Sequence, residues 1–360
     1  MVARQHRVGW AQAEVELQKA LLASPFLVFP FREETLSILD WAEKQSSHWK
    51  NRYYLALLSW SLGRADLAES YFRSCGESPD YAPFYIARGN LLKNTSPADA
   101  ERDYKKAIQV DPKQWRAYRV LASWYQQKGL HAQALDALTP AARAFKSNYV
   151  VLFDYAETLL HNRRFDECLS ILDTLSILPF EGAHYGRQTY REACVLAAID
   201  RMNKGQPSLA LPLLAKAKDW PERLGVGKPV IVDNRLEEFL EARCYSLLKQ
   251  KREEQRLVQS IVSFGTSHPE EMNSNTLISA LSLQTLGKST VASELLSQWT
   301  KNSPGNLVAQ WASSLFAGDN READKILGEI RSKAGPNAWN PVRADPQFHL
   351  VVEAVKLSVQ

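Results

Sequence analysis

The sequence predicts an all-α protein, an α–α superhelix in which helical hairpins stack into a right-handed solenoid. The clearest hairpin covers residues 115–138, where Trp115, Tyr118 and Leu121 lie on one face of a first helix. Gly129 ends that helix, and Ala134 is small enough for a second helix to pack closely against it. The same spacing of five residues from glycine to alanine recurs at Gly63 and Ala68, Gly205 and Ala210, Gly287 and Ala292, and Gly318 and Ala323.

Other elements depart from this pattern. Residues 24–32, which lie between two predicted N-terminal helices, contain two prolines and three phenylalanines; we call them the aromatic connector. A repeat at 149–175 has Arg163 at its turn and Cys168 in the place of alanine. In a divergent unit over 235–263, Arg256 falls near the usual alanine position, which leaves the register of that unit open.

These patterns divide the chain into five parts. They are an N-terminal helical hairpin (1–48), repeats (49–217), a long connector (218–234), divergent C-terminal repeats (235–335) and a capping helix (336–360). A connector as long as 218–234 is often functional, although a packed insertion is the alternative. The last helix begins near Asp345 and Pro346, and we expect it to cover the apolar face of the final repeat.

Composition excludes several classes of function. The 360 residues carry a formal net charge of +4, too small to imply nucleic acid or an anionic membrane as a partner. No apolar run reaches the roughly 18 residues that span a bilayer. We interpret the four cysteines, which lie far apart, as buried thiols. Because the N-terminal pattern contains acids and does not resemble a signal peptide, we expect a cytoplasmic location, or a periplasmic one if a signal peptide precedes this segment.

No pattern predicts catalysis, a metal or a cofactor. The seven histidines show no pairing that would place two ligands on one helix face. Residues 287–290 copy the end of a phosphate-binding loop, but Ser282 stands where that motif requires glycine. Glu192, Glu237 and Glu238 are expected on a solvated helix face. The protein is therefore predicted not to be an enzyme.

The recurring Trp, Leu-Ala, Tyr, Gly and Ala, with Pro112 at a junction, resembles the tetratricopeptide repeat. The resemblance implies that the first helix of each hairpin lines a concave groove that binds a protein or peptide segment. At this groove it places Lys50, Tyr53, Leu57 and Trp60 of the first repeat, Asn90 and Lys93 of the second, and Arg116, Arg119, Ser123 and Gln126 of the third. Packing of Tyr53 and Trp60 against neighbouring repeats is the alternative. A non-catalytic interaction scaffold is the function that follows.

Several stretches, among them SPFLVFPFREETL at 24–36 and WPERLGVGKP at 220–229, resemble the C-terminal region of a family of large bacterial proteins. In that family a tetratricopeptide array follows an N-terminal mutarotase-like β-sandwich domain of unknown function. The resemblance implies that the array docks on its own N-terminal domain. As an alternative, the array would belong to a carbohydrate-processing enzyme and contribute to sugar binding through Tyr53, Trp60 or the long connector.

Overall fold

A computed structural model describes residues 2–179, 185–335 and 337–357, and for residues 2–11 the backbone alone. All regular secondary structure in these ranges is helical, which confirms the all-α prediction. The chain divides into two compact units, one up to Trp124 and the other from Tyr125 onward.

Unit 1 contains two N-terminal helices and the first repeats. Its helices are α1 (Val2–Leu22), α2 (Thr35–Gln45), α3 (Trp49–Ser61), α4 (Ala65–Ser74), α5 (Ala82–Leu92), α6 (Pro97–Val110) and most of α7 (Trp115–Gln127). The repeat helices share a core rich in aromatic residues, with Phe72, Phe84 and Tyr85 fully buried. A buried ion pair lies beside this core, where Arg88 of α5 donates from Nη2 and Nε to the two carboxylate oxygens of Asp103 at 2.6 and 2.8 Å. The pair joins the two helices of the second repeat.

Unit 2 continues the alternation of first and second helices. Its helices are α8 (His131–Ala144), α9 (Tyr149–His161), α10 (Phe165–Leu172), α11 (Tyr185–Asn203), α12 (Pro207–Lys218), α13 (Arg235–Leu247), α14 (Lys251–Ser267), α15 (Asn275–Thr285), α16 (Ser289–Asn302), α17 (Leu307–Phe316), α18 (Asn320–Ala334) and α19 (Phe348–Lys356). From α9 to α18 each first helix contacts its own second helix, and it also contacts the first helix of the next hairpin. One continuous core therefore runs through the unit.

The turn inside each hairpin explains the glycine-to-alanine spacing. Every glycine of the recurring pattern has a left-handed backbone, with φ between 69° and 80°, a conformation that costs glycine no steric energy. The alanine five residues later is buried in each copy. Arg163 and Lys249 take the same left-handed conformation, at φ 58° and 60°. Lys249 therefore marks the turn of the divergent unit, and Glu254, not Arg256, stands at the alanine position.

The last helix packs on more than the final repeat that we expected it to cover. Its main neighbours are α11, α13 and α15, which are all first helices from earlier in the chain. Its Phe348 is fully buried and meets the Trp311 ring of α17 edge to face, with 5.1 Å between centroids. Since six of the nine residues of α19 are buried, this helix is part of the core of unit 2.

The long connector is partly packed. It contains a short 3-10 helix (Glu222–Leu224) whose Leu224 is fully buried, and Arg187 of α11 stacks over the Trp220 ring at 4.5 Å. Val230 and Ile231 at its far end are exposed. The connector is thus anchored at one end and open to solvent at the other.

Candidate interaction surfaces

The aromatic connector exposes large apolar side chains in unit 1. Phe26, Leu27, Phe29 and Phe31 keep 65, 69, 66 and 73% of their surface in contact with solvent. They follow one another within six residues, so they form a single patch. Scattered exposed apolar residues are ordinary on a protein surface, but a contiguous patch marks an interaction site.

Hydrogen bonds hold the chain at the start of this connector. Lys50 of α3 donates from Nζ to the carbonyl oxygens of Leu21 and Ala23, just before the connector, at 2.6 and 2.7 Å, and the Tyr81 hydroxyl donates to the Pro25 carbonyl at 3.5 Å. A turn closed by Val28 N–H donating to the Pro25 carbonyl at 3.2 Å then carries the exposed side chains. Lys50, predicted to contact a partner, instead holds the end of α1 against α3.

Tyr53 and Trp60, the two predicted aromatic groove residues, differ in exposure. Tyr53 is 3% exposed, and its ring lies 5.6 Å from Phe84 and 6.1 Å from Tyr81, centroid to centroid. It is a core residue, as the packing alternative expected, and offers a partner almost no surface. Trp60 is half-buried and meets the Phe72 ring edge to face at 6.5 Å. Leu57 is half-buried as well, so α3 presents only part of the predicted surface.

The predicted residues of the second repeat lie at the end of α5. The Asn90 side chain accepts a hydrogen bond from the Tyr104 hydroxyl at 3.0 Å, which ties it to α6. Lys93 follows the last turn of α5, is exposed, and makes no ion pair among the described residues. Its ammonium group is available to an acidic partner.

The predicted residues of the third repeat lie on α7. Arg116 and Arg119 both place their guanidinium groups over the Trp115 ring, at 4.3 and 5.6 Å from its centroid. Ser123 is exposed on the same helix. Gln126, on the unit 2 side of the boundary, donates to the Thr158 hydroxyl at 2.8 Å and is thereby engaged in a contact within unit 2.

In unit 2 the inner helices carry a buried polar network that the sequence analysis missed. One oxygen of Glu192 accepts a hydrogen bond from Trp339 Nε1 and lies 2.8 Å from His349 Nε2. Glu237 is fully buried and pairs with Arg191. The expected solvated face is therefore wrong for Glu192 and Glu237.

Of these three acids, Glu238 alone is partly exposed. Its partial burial still raises the pKa of its carboxyl, although Ser260 Oγ donates a hydrogen bond to it at 3.1 Å, which acts in the opposite direction. A signal for the buried network was present in α11. This helix is apolar around its whole circumference from Ala193 to Ile199, which indicates burial on all sides and hence a partner for Glu192 directly before this run.

The segment before α19 extends the network along the inner helices. Asp345 accepts hydrogen bonds from the backbone N–H and hydroxyl of Ser274 at 2.7 and 3.0 Å, and burial raises the pKa of its carboxyl. Gln347 donates to the Asn273 side chain at 3.0 Å. Residues 337–357 thus fill the side of unit 2 formed by α11, α13 and α15 with the chain's own side chains.

Three histidines of unit 2, His131, His161 and His349, lie around Trp339. His161 lies 4.5 Å from the Trp339 ring and 5.5 Å from His131, centroid to centroid, and burial lowers the pKa of His161 to about 4. These side chains are packed as rings, and no group of three potential metal ligands occurs among the described residues. None of the described helices has the length and apolar character needed to cross a membrane.

No model of a protein family matches the sequence, and no curated protein is significantly similar to it. Among solved structures, the chain is similar to the C-terminal part of a TPR repeat-containing protein from Cytophaga hutchinsonii. The two share 15% identity with a TM-score of 0.46, over 70% of this chain and 94% of that one.

Two further structures are comparable. A tetratricopeptide repeat protein from Parabacteroides merdae shares 10% identity with a TM-score of 0.38, over 75% of this chain and 98% of that one. For Naa15/Naa10 bound to HypK the identity is 15% and the TM-score 0.48, over 89% of this chain and 48% of that one. These likenesses concern the fold. The hairpins and their turns define the class, an all-α protein of tetratricopeptide-type helical repeats.

Proposed function

We propose that the chain is a non-catalytic scaffold that binds an extended segment of a protein partner on unit 1. The observation that carries this proposal is the aromatic connector, whose Phe26, Leu27, Phe29 and Phe31 are exposed next to a backbone turn that hydrogen bonds to the Pro25 carbonyl hold in place. Burying such a patch is worth about 25 cal/mol for each Å² removed from water. A fixed backbone lowers the entropy cost of forming that contact.

The backbone of Leu27 supports a role other than folding. Leu27 has φ 60°, a left-handed conformation that costs a residue with a Cβ about 1–2 kcal/mol. Its side chain regains little of that energy by packing, because it is exposed. A strained, exposed leucine within an apolar patch fits a residue retained for binding.

The chemistry of the partner follows from the side chains that remain available. Apolar residues would cover the connector, and acidic side chains would pair with Lys93, which directly follows the first helix of the second repeat, and with Arg116 on the first helix of the third. Trp60, Asn90, Arg119 and Ser123 would line the path between them. A β-sandwich domain of the kind that the sequence resemblance implies would be one such partner. A sugar is less well supported, because Tyr53 is buried and cannot serve as a stacking platform.

The experiment compares variants in quantitative affinity capture. The full chain, the double variant F29S/F31S and the control Leu209→Ser are used as baits against extracts, and against a separately expressed mutarotase-like β-sandwich domain of the family that the sequence resembles. Leu209 lies on α12 of unit 2 and is 53% exposed, so its substitution removes a similar apolar side chain elsewhere. Both variants should unfold at the same denaturant concentration as wild type, since the replaced side chains are exposed.

We expect a partner that is captured by wild type and by Leu209→Ser and lost with F29S/F31S. The variant Leu27→Gly should also weaken capture while its free energy of unfolding stays equal or rises by up to about 1 kcal/mol, because glycine relieves the left-handed strain. A partner retained equally by all baits, or no reproducible partner at all, contradicts the proposal.

A further inference from the structure

A second candidate site lies in unit 2, away from the aromatic connector. It is a cavity of about 410 Å³ between the α9–α10 turn, α11, α18 and the returning segment that leads into α19. Ligand sites commonly enclose about 300–1,000 Å³, so the volume suits a small molecule. Nothing in the scaffold function proposed for unit 1 requires this cavity.

Two arginines supply positive charge at its rim. Arg163 lies on the turn between α9 and α10, and Arg331 lies in the last turn of α18. Both side chains are exposed, and neither forms an ion pair with a carboxylate in the described part of the chain. The Arg163 guanidinium lies 5.6 Å from the Phe165 ring. Two guanidinium groups that form no ion pair among the described residues, beside one cavity, are a site for an anion.

The accessible floor of the cavity is apolar. It is formed by Leu327 of α18 and by Ala338, Trp339 and Pro341 of the returning segment, and the last three keep surface in contact with solvent. Such a floor disfavours a small hydrated anion and favours a ligand with an apolar body.

One acid moderates the charge at the rim. Glu353 also lines the cavity, but its carboxylate is held by Lys356 at 2.6 Å. With Glu353 paired, the two guanidinium groups are left for a ligand, and the two oxygens of a planar carboxylate match the paired N–H donors of a guanidinium.

We propose that this cavity binds a small carboxylic acid with an apolar body. The carboxylate would lie between Arg163 and Arg331, which can donate paired N–H groups to its two oxygens. The apolar body would lie against Leu327, Trp339 and Pro341. The site depends on the return of residues 337–352, because that segment supplies one wall.

Isothermal titration calorimetry with octanoate tests the proposal on the full chain. Octan-1-ol, acetate and octyl phosphate serve as comparison ligands, and each measurement is made at low and at high ionic strength. The variants are Arg163→Gly, which places at this turn the residue used at the recurring turns, and Arg331→Gln. Arg321→Gln is the matched control, since Arg321 is an exposed arginine of the same helix α18 outside the cavity.

Octanoate should bind more tightly than octan-1-ol and acetate, and more weakly as the salt concentration rises. Each of Arg163→Gly and Arg331→Gln should weaken octanoate binding by at least about tenfold, because each removes a charged hydrogen bond. Arg321→Gln should bind as wild type does.

Several results would overturn the proposal. They are no octanoate binding to the wild-type chain, equal affinity for octan-1-ol, a tenfold preference for octyl phosphate, or an equal loss of affinity in Arg321→Gln. A circular dichroism spectrum that matches wild type verifies that each variant is folded, so that a loss of binding reflects the lost guanidinium group. Capture of a partner by unit 1 is measured independently, so failure of either proposal leaves the other standing.

Discussion

Replacing His161 by phenylalanine should make the stability of unit 2 less sensitive to acid. Burial, the largest effect, lowers the pKa of His161 to about 4, and nearby His131 and His349 lower it further while Glu192 acts in the opposite direction. In the unfolded chain a histidine titrates near 6.5. Between these two values the unfolded state binds a proton that the native state does not, so stability is lost as the pH falls.

The size of this loss follows from the two pKa values. At pH 7.5 the histidine contributes almost nothing, at pH 5 it destabilises the native state by about 2 kcal/mol, and below pH 4 the loss levels off at roughly 3 kcal/mol. His161→Phe removes the titration but keeps a ring against Trp339, which lies 4.5 Å away. The variant should therefore lose about 2 kcal/mol less than wild type between pH 7.5 and pH 5.

Urea unfolding of both proteins across this pH range measures the difference. An NMR titration of the imidazole protons, assigned by the missing signal in His161→Phe, gives the pKa directly. A pKa near 6.5, or a difference in unfolding free energy that does not change with pH, would refute the reasoning. Other acidic groups titrate in both proteins and cancel in the comparison.

Three further predictions concern stability and reactivity. Phe348→Ala should lower the unfolding free energy of unit 2 by about 3–5 kcal/mol, because it empties a fully buried site against Trp311; a loss below 1 kcal/mol would show that α19 is not docked. Asp103→Asn should cost about 3–5 kcal/mol by leaving Arg88 buried without its ion-pair partner, whereas the double change R88M/D103L should recover most of this in chemical denaturation; an equal loss in both would contradict the pairing. The four cysteines should resist alkylation by iodoacetamide in the native protein and react on unfolding, since burial raises the pKa of each thiol; rapid native labelling of any one would contradict its burial.

The repeat pattern was predictable because it is local. Gly129 and Ala134 fix a turn and a close helix contact within a few residues, and the same physics acts at every copy. The burial of the four cysteines also follows from local pattern and is confirmed. Lys249 was missed because a left-handed lysine carries no compositional signal, so the register of its hairpin became clear only from the backbone.

Contacts between distant parts of the chain could not be predicted from periodicity. A helical period shows which residues of a helix share a face but not which neighbour covers that face. Tyr53 therefore matched a groove position although α5 and its aromatic neighbours cover it. Glu192 matched a solvated face although Trp339 and His349, far along the chain, lie against it. The exposure of the aromatic connector likewise depends on contacts of Lys50 and Tyr81 that its own sequence does not contain.

The return of α19 to the first helices affects how unit 2 is completed during synthesis. A simple repeat array needs only neighbouring repeats and can fold behind the ribosome one hairpin at a time. Here the partner of Glu192, His349, is synthesised 157 residues later. At a synthesis rate of 5–20 residues per second this is a delay of roughly 8 to 30 seconds. During that interval the apolar inner side of α11 is uncovered and open to chaperones. Unit 2 should then gain its final stability in one cooperative step, when its last helix arrives.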